Sequence, residues 1–486
     1  MQRFVPGRKP AVGLQPLAEP HADCRRIRSD VHIPMSIFTR DSKMLSQEKN
    51  RLLTEVGPGT QMGDYLRRYW HPVAGVSEFD DMSVRPIRLF GEDLVLFKDL
   101  SGKFGLVQRR CPHRNADLAF GFVEKCGLRC AYHGWEFDAK GQCTHQPYEE
   151  IVDADARLRK KVTVTAYEVR AKAGLIWAYM GPAPAPELPD WEPFHYEHGF
   201  AQVVLAEVPC NWFQCQENSI DPIHFEWTHN NWTQRLQDSN AEYVPTHLKT
   251  QYEEFDFGFI YKRLRAKESE QNPMWTIGRV TLWPNGFYLG HHFEWRVPID
   301  DENTLSVLWV FNRVPKEQEP YVQEHIPSWY GPVRDENGAW ITSHVANQDF
   351  AAWVGQGAIT DRTKETLGAS DRGVVMLRRR FFEELEAVAA GKQPKGLITD
   401  REANHNVYLP SACRDELMNG LTRAELAAHP LLGPYLRDFI GQAGQPDHVR
   451  EAYEAAIGQR LEGATFFTVH GARAAEEGEA AANDPA

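Results

Sequence analysis

Residues 111–135 read CPHRNADLAFGFVEKCGLRCAYHGW, and the placing of cysteine and histidine in this stretch governs how the remainder is interpreted. Cys111 and His113 make one clamp, Cys130 and His133 a second, and sixteen residues lie between them. As metal chemistry they supply two soft thiolates and two neutral imidazoles in the order Cys, His, Cys, His. Two centres accept that donor set. One is a [2Fe–2S] cluster with both thiolates on one iron and both imidazoles on the other, where neutral ligands raise the reduction potential above that of an all-cysteine cluster. The other is a structural zinc ion, which also takes two Cys and two His at short spacings. Zinc sites usually draw on C-x-x-C and H-x-x-x-H pairs. Here each half carries one Cys and one His, which suits two irons side by side.

With CPHRNA and CAYHGW as its two loops, the region resembles the Rieske iron–sulfur family. High-potential members of that family carry two further cysteines, one beside each ligand loop, joined in a disulfide. This chain has Ala116 and Tyr132 at those places, and its nearby thiols Cys126 and Cys143 lie outside the loops, where each reads as a small buried hydrophobe. Trp135 resembles the indole that shields the cluster in the low-potential oxygenase type. A low-potential cluster suits an electron donor to oxygen chemistry.

Length and composition set outer bounds. At 486 residues there is room for two substantial domains. Apolar residues at 42% and charged residues at 25% are ordinary for a globular protein. A net charge of −13 argues against nucleic acid as a partner. Eight cysteines in so long a chain are no disulfide framework, and cluster assembly needs reduced thiols, so a cytoplasmic location is expected. No apolar run approaches the roughly 20 residues that span a bilayer, so no membrane association is expected. Residues 1–43 have arginines but no apolar core of a signal peptide and read as a disordered or loosely attached extension. Residues 471–486 are low in complexity and read as a mobile tail.

Between those ends the pattern is regular. Leu52, Leu53 and Val56 predict a short helix, the GPGT at 57–60 breaks it, and Met62, Leu66 and Trp70 predict another. The period then falls to two, with turns at Gly91-Glu92-Asp93, Ser101-Gly102-Lys103 and Asp138–Gly141. The clamps therefore sit on loops between short antiparallel strands. GPAPAP at 181–186, with Pro189 and Pro193, is a stiff connector. Beyond it, alternation around 250–264, 276–283, 287–297 and 305–314 predicts strands, with a hairpin at Pro284-Asn285-Gly286. Leu377, Phe381, Leu385 and Val388 predict a helix over about 374–390 that stops at Gly391.

A second constellation, Asn218-x-x-Asp221-x-x-His224-x-x-x-x-His229, lies in QENSIDPIHFEWTHNN. Two imidazoles and a carboxylate with open positions form the facial triad of a non-haem Fe(II) that binds O₂. The period of a helix puts Asp221 and His224 on nearly one face. His224 and His229 are five apart, about 140° around a regular helix, so both reach one metal only if the helix bends or ends between them. The third ligand must come from downstream, and Asp349, Asp361 and Asp371 are the candidates. Asp361 and Asp371 each precede an arginine and read as surface pairing or helix capping. Asp349, in VANQDFAAWVGQG, precedes an apolar segment able to bury a site, with Asn347 and Gln348 placed to hold it, and spacing alone does not decide among the three. His291 and His292, adjacent in the chain, face opposite sides of a strand, which leaves one able to line the pocket, with a structural role the preferred reading.

With both constellations in view, the chain from about Met44 through its C-terminal helix resembles the oxygenase (alpha) subunit of the Rieske non-haem iron oxygenases. The stretches RLLTEVGPGTQMGDYLRRYWHPV and PCNWFQCQENSIDPIHFEWTH are most similar to the phthalate dioxygenase and dehydrodivanillate O-demethylase branch. The resemblance implies an α+β fold, with an all-β Rieske domain (44–180), a Pro-rich linker (181–193) and a catalytic domain with an antiparallel sheet and flanking helices (194–470). It implies that Cys111, His113, Cys130 and His133 hold the cluster and that His224, His229 and Asp349 hold the iron. Asp221 would bridge His224 to His133 of a neighbouring subunit as the electron path, and Asn218 would stand near the iron. A homotrimer or stacked trimers follow, because cluster and iron in one subunit would be too far apart. No dinucleotide fingerprint follows a strand, so NAD(P)H would act through a separate reductase, directly or through a ferredoxin. The implied reaction is monooxygenation or O-demethylation of a carboxylated aromatic substrate, with arene cis-dihydroxylation as the alternative. An electron-transfer Rieske protein and a zinc-stabilised binding module are the readings from other classes.

Overall fold

The computed structural model describes residues 45–243, 245–413, 419–428 and 442–461. The proposed extension 1–43 and tail 471–486 lie outside them. The two opening helices, Gln47–Thr54 and Gln61–Leu66, are started by hydroxyl caps, Ser46 accepting from the Lys49 amide and Thr60 from that of Gly63. Trp70 is not helical, contrary to the periodicity. It begins a strand, because its backbone pairs with Tyr179 across an antiparallel ladder. Long-range pairing overrides local pattern there.

Ten strands follow before the connector. They are β1 (Trp70–Gly75), β2 (Val84–Leu89), β3 (Glu92–Lys98), β4 (Phe104–Gln108) and β5 (Phe122–Glu124), then β6 (Gly127–Arg129), β7 (Glu136–Phe137), β8 (Cys143–His145), β9 (Ala166–Lys172) and β10 (Leu175–Tyr179). They make a six-stranded sheet in the order β1-β10-β9-β4-β3-β2 and a four-stranded sheet in the order β5-β6-β7-β8. The β2–β3 turn is Phe90-Gly91, one residue earlier than the sequence suggested. Both residues have positive φ (48° and 78°), as a two-residue hairpin loop requires. Val95, Phe97 and Val107 of the larger sheet and Leu128 and Phe137 of the smaller one form a small core beneath the cysteine loops.

Leu188 and Trp191 anchor the 181–193 segment in the apolar core, and its Glu187 and Glu192 amides donate to the Ile398 and Val407 carbonyls. Beyond it come β11 (Gly199–Val208), β12 (His247–Phe255), β13 (Gly258–Arg265), β14 (Arg279–Leu282), β15 (Gly286–Tyr288), β16 (His292–Pro298), β17 (Thr304–Arg313) and β18 (Ser328–Tyr330). They form one eight-stranded sheet, β12-β13-β14-β15-β16-β17-β11-β18, antiparallel except for the last pair. The long helix runs over Arg372–Ala389 and turns out at Gly391, φ 78°. One apolar core joins the six- and eight-stranded sheets, with Trp177 of β10 edge-on to Trp295 of β16 at 5.1 Å. Each such fully buried side chain contributes about 1.5–3 kcal/mol, so a continuous core couples the cluster-bearing part firmly to the rest.

Candidate metal centres

The two cysteine loops fold by one device. Each cysteine amide donates to a carbonyl five residues on, Cys111 to Ala116 and Cys130 to Trp135. Each cysteine carbonyl accepts from the amide four residues on, Asn115 and Gly134. Those two residues have φ of 57° and 74°, which Asn tolerates and Gly adopts without strain. The repeat turns both cysteines inward, 1% and 2% exposed, and brings the His113 and His133 rings to 4.4 Å from each other. Trp135 stacks on His113 at 4.4 Å and 7°, between the imidazole and the interior. Burial and the adjacent Cys130 push the Cys111 thiol upward, so a thiolate there needs a cation. His113 Nδ1 is buried with no hydrogen-bond partner among the described residues. Cys143 is buried as expected, whereas Cys126 is exposed on the β5–β6 turn.

The histidine pair solves its spacing problem in an unexpected way. The helix does not end between His224 and His229. A single α-turn at His224–Glu226 opens into a π-helical segment, Trp227–Trp232, and closes again over Thr233–Gln237. Turns closed by i→i+5 bonds bring residues five apart onto one face, and such bulges favour functional sites. The two imidazoles stand 5.2 Å apart, nearly perpendicular.

Asp349, on the Val345–Val354 helix, meets them from the other side. Its Oδ1 lies 3.4 Å from His229 Nε2 and 3.8 Å from His224 Nε2. Among the described residues these three alone gather a group of three or more His, Cys or carboxylate ligand atoms within 4.8 Å of one another. The donors of the cysteine loops are therefore not drawn about one point as tetrahedral zinc demands, which favours two irons over a zinc ion. Asp361 instead accepts from Thr363 and pairs with Lys364 at the surface. Asp371 stands at the N-cap position of the long helix, where its carboxylate accepts from the Gly368 amide rather than from the helix.

Hydrogen bonding leaves the His229 nitrogen nearest Asp349 bare. Gln348 Nε2 donates to the Thr342 carbonyl and the Thr233 hydroxyl, so its Oε1 must be the end facing His229 Nδ1, 3.0 Å away. Nδ1 therefore carries the hydrogen, and Nε2, buried and without a hydrogen-bond partner among the described residues, offers its lone pair towards a carboxylate oxygen. Two electron-rich atoms at that distance repel unless a cation or proton lies between them. Burial pushes the Asp349 carboxyl up to about 7, with His224 opposing, the mark of a buried carboxylate short of positive charge. The donor set thus fits a divalent metal.

The expected supports are rearranged. Gln348 serves His229 rather than Asp349, and Asn347 bonds the Pro332 carbonyl and the Ala443 amide. The group on Asp349 is Asn218, whose Nδ2 donates to Oδ1 at 3.3 Å. Asp221 accepts from the Ile223 amide, and its Oδ2 is 3.7 Å from His224 Nδ1, a contact longer than a hydrogen bond. Its carboxylate is 30% exposed, behind His224. His291 and His292 are bonded to each other at 3.0 Å, and His292 continues to Glu294. Sequence reasoning missed Gln214, which ties the Asn218 helix to the Trp353 and Gly357 carbonyls beside the Asp349 helix. It also missed Glu226, which accepts from Thr246 and His247. No local pattern marks either.

The Rieske [2Fe-2S] domain family matches residues 69–156, and the "LigXa C-terminal domain like" family matches residues 334–411. The 5,5'-dehydrodivanillate O-demethylase oxygenase subunit of Sphingobium sp. (strain NBRC 103272 / SYK-6) is 56% identical over 414 residues, 85% of this chain and 97% of that protein. The phthalate 4,5-dioxygenase oxygenase subunit of Pseudomonas putida is 33% identical over 73% of this chain and 89% of its own. The solved structure of Pseudomonas putida CBB5 NdmA shares the fold with a TM-score of 0.51 at 20% identity, over 68% of this chain and 94% of that one.

Proposed function

The chain belongs to the Rieske non-haem iron oxygenases, as an oxygenase subunit with a [2Fe–2S] cluster and a mononuclear iron, and on that premise we propose that it O-demethylates a methoxylated aromatic carboxylic acid. The observation that carries this reading is the 56% identity to a dehydrodivanillate O-demethylase subunit, spread over 97% of that protein. In the proposed reaction one oxygen atom enters a C–H bond of the methoxy group and the other leaves as water, with two electrons and two protons consumed. The hemiacetal formed collapses to a phenol and formaldehyde. When bound, the two centres supply the electrons and the activation of O₂.

The residues have distinct tasks in this proposal. Cys111, His113, Cys130 and His133 hold the cluster, in a domain spanning 44–180. His224, His229 and Asp349 hold the iron, in a domain spanning 194–470 and joined to the first by 181–193. Gln348 orients His229, and Asn218 steadies the Asp349 oxygen nearest the histidines. Asp221 stands behind His224 and faces outward, suited to bridging His224 to His133 of a neighbouring subunit. The surroundings support such contact. Phe120, Tyr148 and Ile151 near the cluster loops are 74%, 71% and 80% exposed, and Trp227 and the Tyr243 ring packed on it at 5.4 Å, on the histidine side, are also exposed. A homotrimer, singly or stacked, fed by an NAD(P)H-dependent reductase with or without a ferredoxin, completes the proposal. No helix among the described residues is long and apolar enough to cross a membrane, in keeping with the proposed cytoplasmic location.

One experiment tests the whole reading. The holoenzyme is separated by light-scattering chromatography, and each species is assayed with NADH, a surrogate reductase and a panel of methoxylated aromatic acids. Formaldehyde from a trimeric species is the expected result. A cis-diol product would replace demethylation by arene dihydroxylation, and full turnover by a monomer would remove the route between subunits.

A further inference from the structure

Asn218 reaches Asp349 from an insecure position. It is the last residue of the short helix Trp212–Asn218, and helix ends fray. Its bond to the carboxylate, at 3.3 Å, is already long. That helix end must be held against the helix Val345–Val354 that carries Asp349. The chain leaving the Asp349 helix supplies part of the hold, because residues 355–362 fold back over the shorter helix. Gln214, buried, donates from Nε2 to the Trp353 and Gly357 carbonyls and accepts on Oε1 from the amide and hydroxyl of Thr360. Two residues further on, Arg362 gives Nε to both oxygens of Glu217, at 3.1 Å each, and Nη2 to Oε2 at 2.6 Å. Glu217 is the immediate chain neighbour of Asn218.

The remaining support comes from the far end of the chain. Helix Gln47–Thr54, which the sequence places with the cluster domain, turns two polar groups towards these iron-bearing elements. Asn50, buried, accepts on Oδ1 from Arg362 Nη1 at 3.1 Å and donates from Nδ2 to the Thr360 carbonyl at 3.0 Å. One turn on, the Thr54 carbonyl accepts from Nδ2 of Asn211, whose Oδ1 caps the start of the Trp212–Asn218 helix. The N-terminal helix thus grips both ends of that helix, its start through Asn211 and its end through Arg362 and Glu217. Stability alone does not account for the buried ion pair, since apolar residues of like volume commonly do as well. Burial pushes the Glu217 carboxyl up, but Arg362 and Arg378 outweigh it and hold the group below its ordinary range. What a guanidinium fork adds to that charge is direction.

We propose that Asn50 and Arg362 are positioning residues of the iron site, fixing Glu217, and with it Asn218, at the distance from which Asn218 holds Asp349. This role rests on Asp349 being an iron ligand, as proposed above. The first helix then serves the iron rather than the cluster. The Asn50–Arg362 bond spans 312 residues of sequence, so a change near the start of the chain is expressed at the mononuclear iron and leaves the cluster as it is.

The test is iron affinity in the holoenzyme, measured anaerobically as iron in excess of sulfide after dialysis against graded chelator. A [2Fe–2S] cluster holds iron and sulfide in equal number, so the excess is the mononuclear iron alone. Asn218→Ala should lower its affinity about 10–100-fold, as loss of a ligand's own partner does, and Asn50→Leu about threefold or more, with sulfide unchanged. In the double variant the affinity should fall no further than in Asn218→Ala, because both changes cut one chain of contacts. Asn50→Asp keeps an acceptor for Arg362 and should stay within about twofold of the wild type. If Asn50→Leu fails to fold, Arg362→Lys carries the same cycle, with the charge kept and the fork lost. A helix with a merely structural role would lower the melting temperature and leave iron affinity intact. Three results would each overturn the proposed role: undiminished iron affinity in Asn50→Leu, effects that multiply in the double variant, or equal losses in Asn50→Leu and Asn50→Asp. Asp349→Ala is measured alongside. Iron retained by that variant would remove the ligand assignment and this role with it, whereas iron lost there but held in Asn50→Leu would remove this role alone.

Discussion

A single amide governs the chemistry open to His229. Gln348 is locked by the Thr342 carbonyl, so it accepts from Nδ1 and leaves Nε2 bare. Gln348→Leu keeps the bulk and removes the acceptor. It should lower mononuclear iron affinity by about 10–100-fold, read as iron retained after dialysis against a chelator, while sulfide content and the visible spectrum of the cluster stay unchanged. Equal iron retention would show that the imidazole needs no such partner. At this scale much was legible. Donor types and their order in the chain pointed to six of the seven proposed ligands, and the preference for Asp349 over Asp361 and Asp371 needed the family resemblance as well as the bland roles open to the other two. The partners of those ligands were not legible. Asn218 meets Asp349 across 131 residues of sequence, and His229 meets Gln348 across 119.

Among the elements, the widened helix matters most. Five-residue spacing requires the π-helical segment at Trp227–Trp232, so the length of the insert should control iron binding. An alanine inserted between Thr228 and His229 should abolish mononuclear iron and spare the cluster. Deleting Thr228 makes an i,i+4 pair on a regular helix and should retain more iron than the insertion, measured as the iron-to-sulfide ratio. Equal ratios in the two variants would separate the widening from metal binding. Periodicity exposed the conflict between a regular helix and a shared metal, but not its resolution. A π-turn is held open by packing, here in part by Asn231 Nδ2 on the Glu226 carbonyl and by the Glu226 carboxylate on Thr246 and His247. The cysteine loops were far more readable, because a turn closed by its own residues needs little from elsewhere.

Across the whole molecule, His71 joins the two halves. Its Nε2 donates to the Leu66 carbonyl, and its Nδ1 accepts from Asn285 in the β14–β15 turn. Burial lowers its pKa to about 4, the Leu66 carbonyl opposing, against roughly 6.5 in an unfolded chain. The unfolded state takes up the proton first, so the stabilisation is complete above about pH 6.5 and is lost as pH falls towards 4, about 3 kcal/mol over the range. His71→Gln, which cannot titrate, should show a shallower fall in melting temperature between pH 6.5 and 4.5. A parallel fall in both proteins would assign the acid sensitivity to other groups.

Taken alone, the amino-acid sequence determined the two kinds of metal chemistry, the α+β class and the family, because donor identity, turn residues and strand alternation are carried by near neighbours. Tertiary structure decided what depends on distant segments meeting. It brought Asp349 to the histidines, turned Gln348 towards His229, and opened the helix to fit a five-residue spacing.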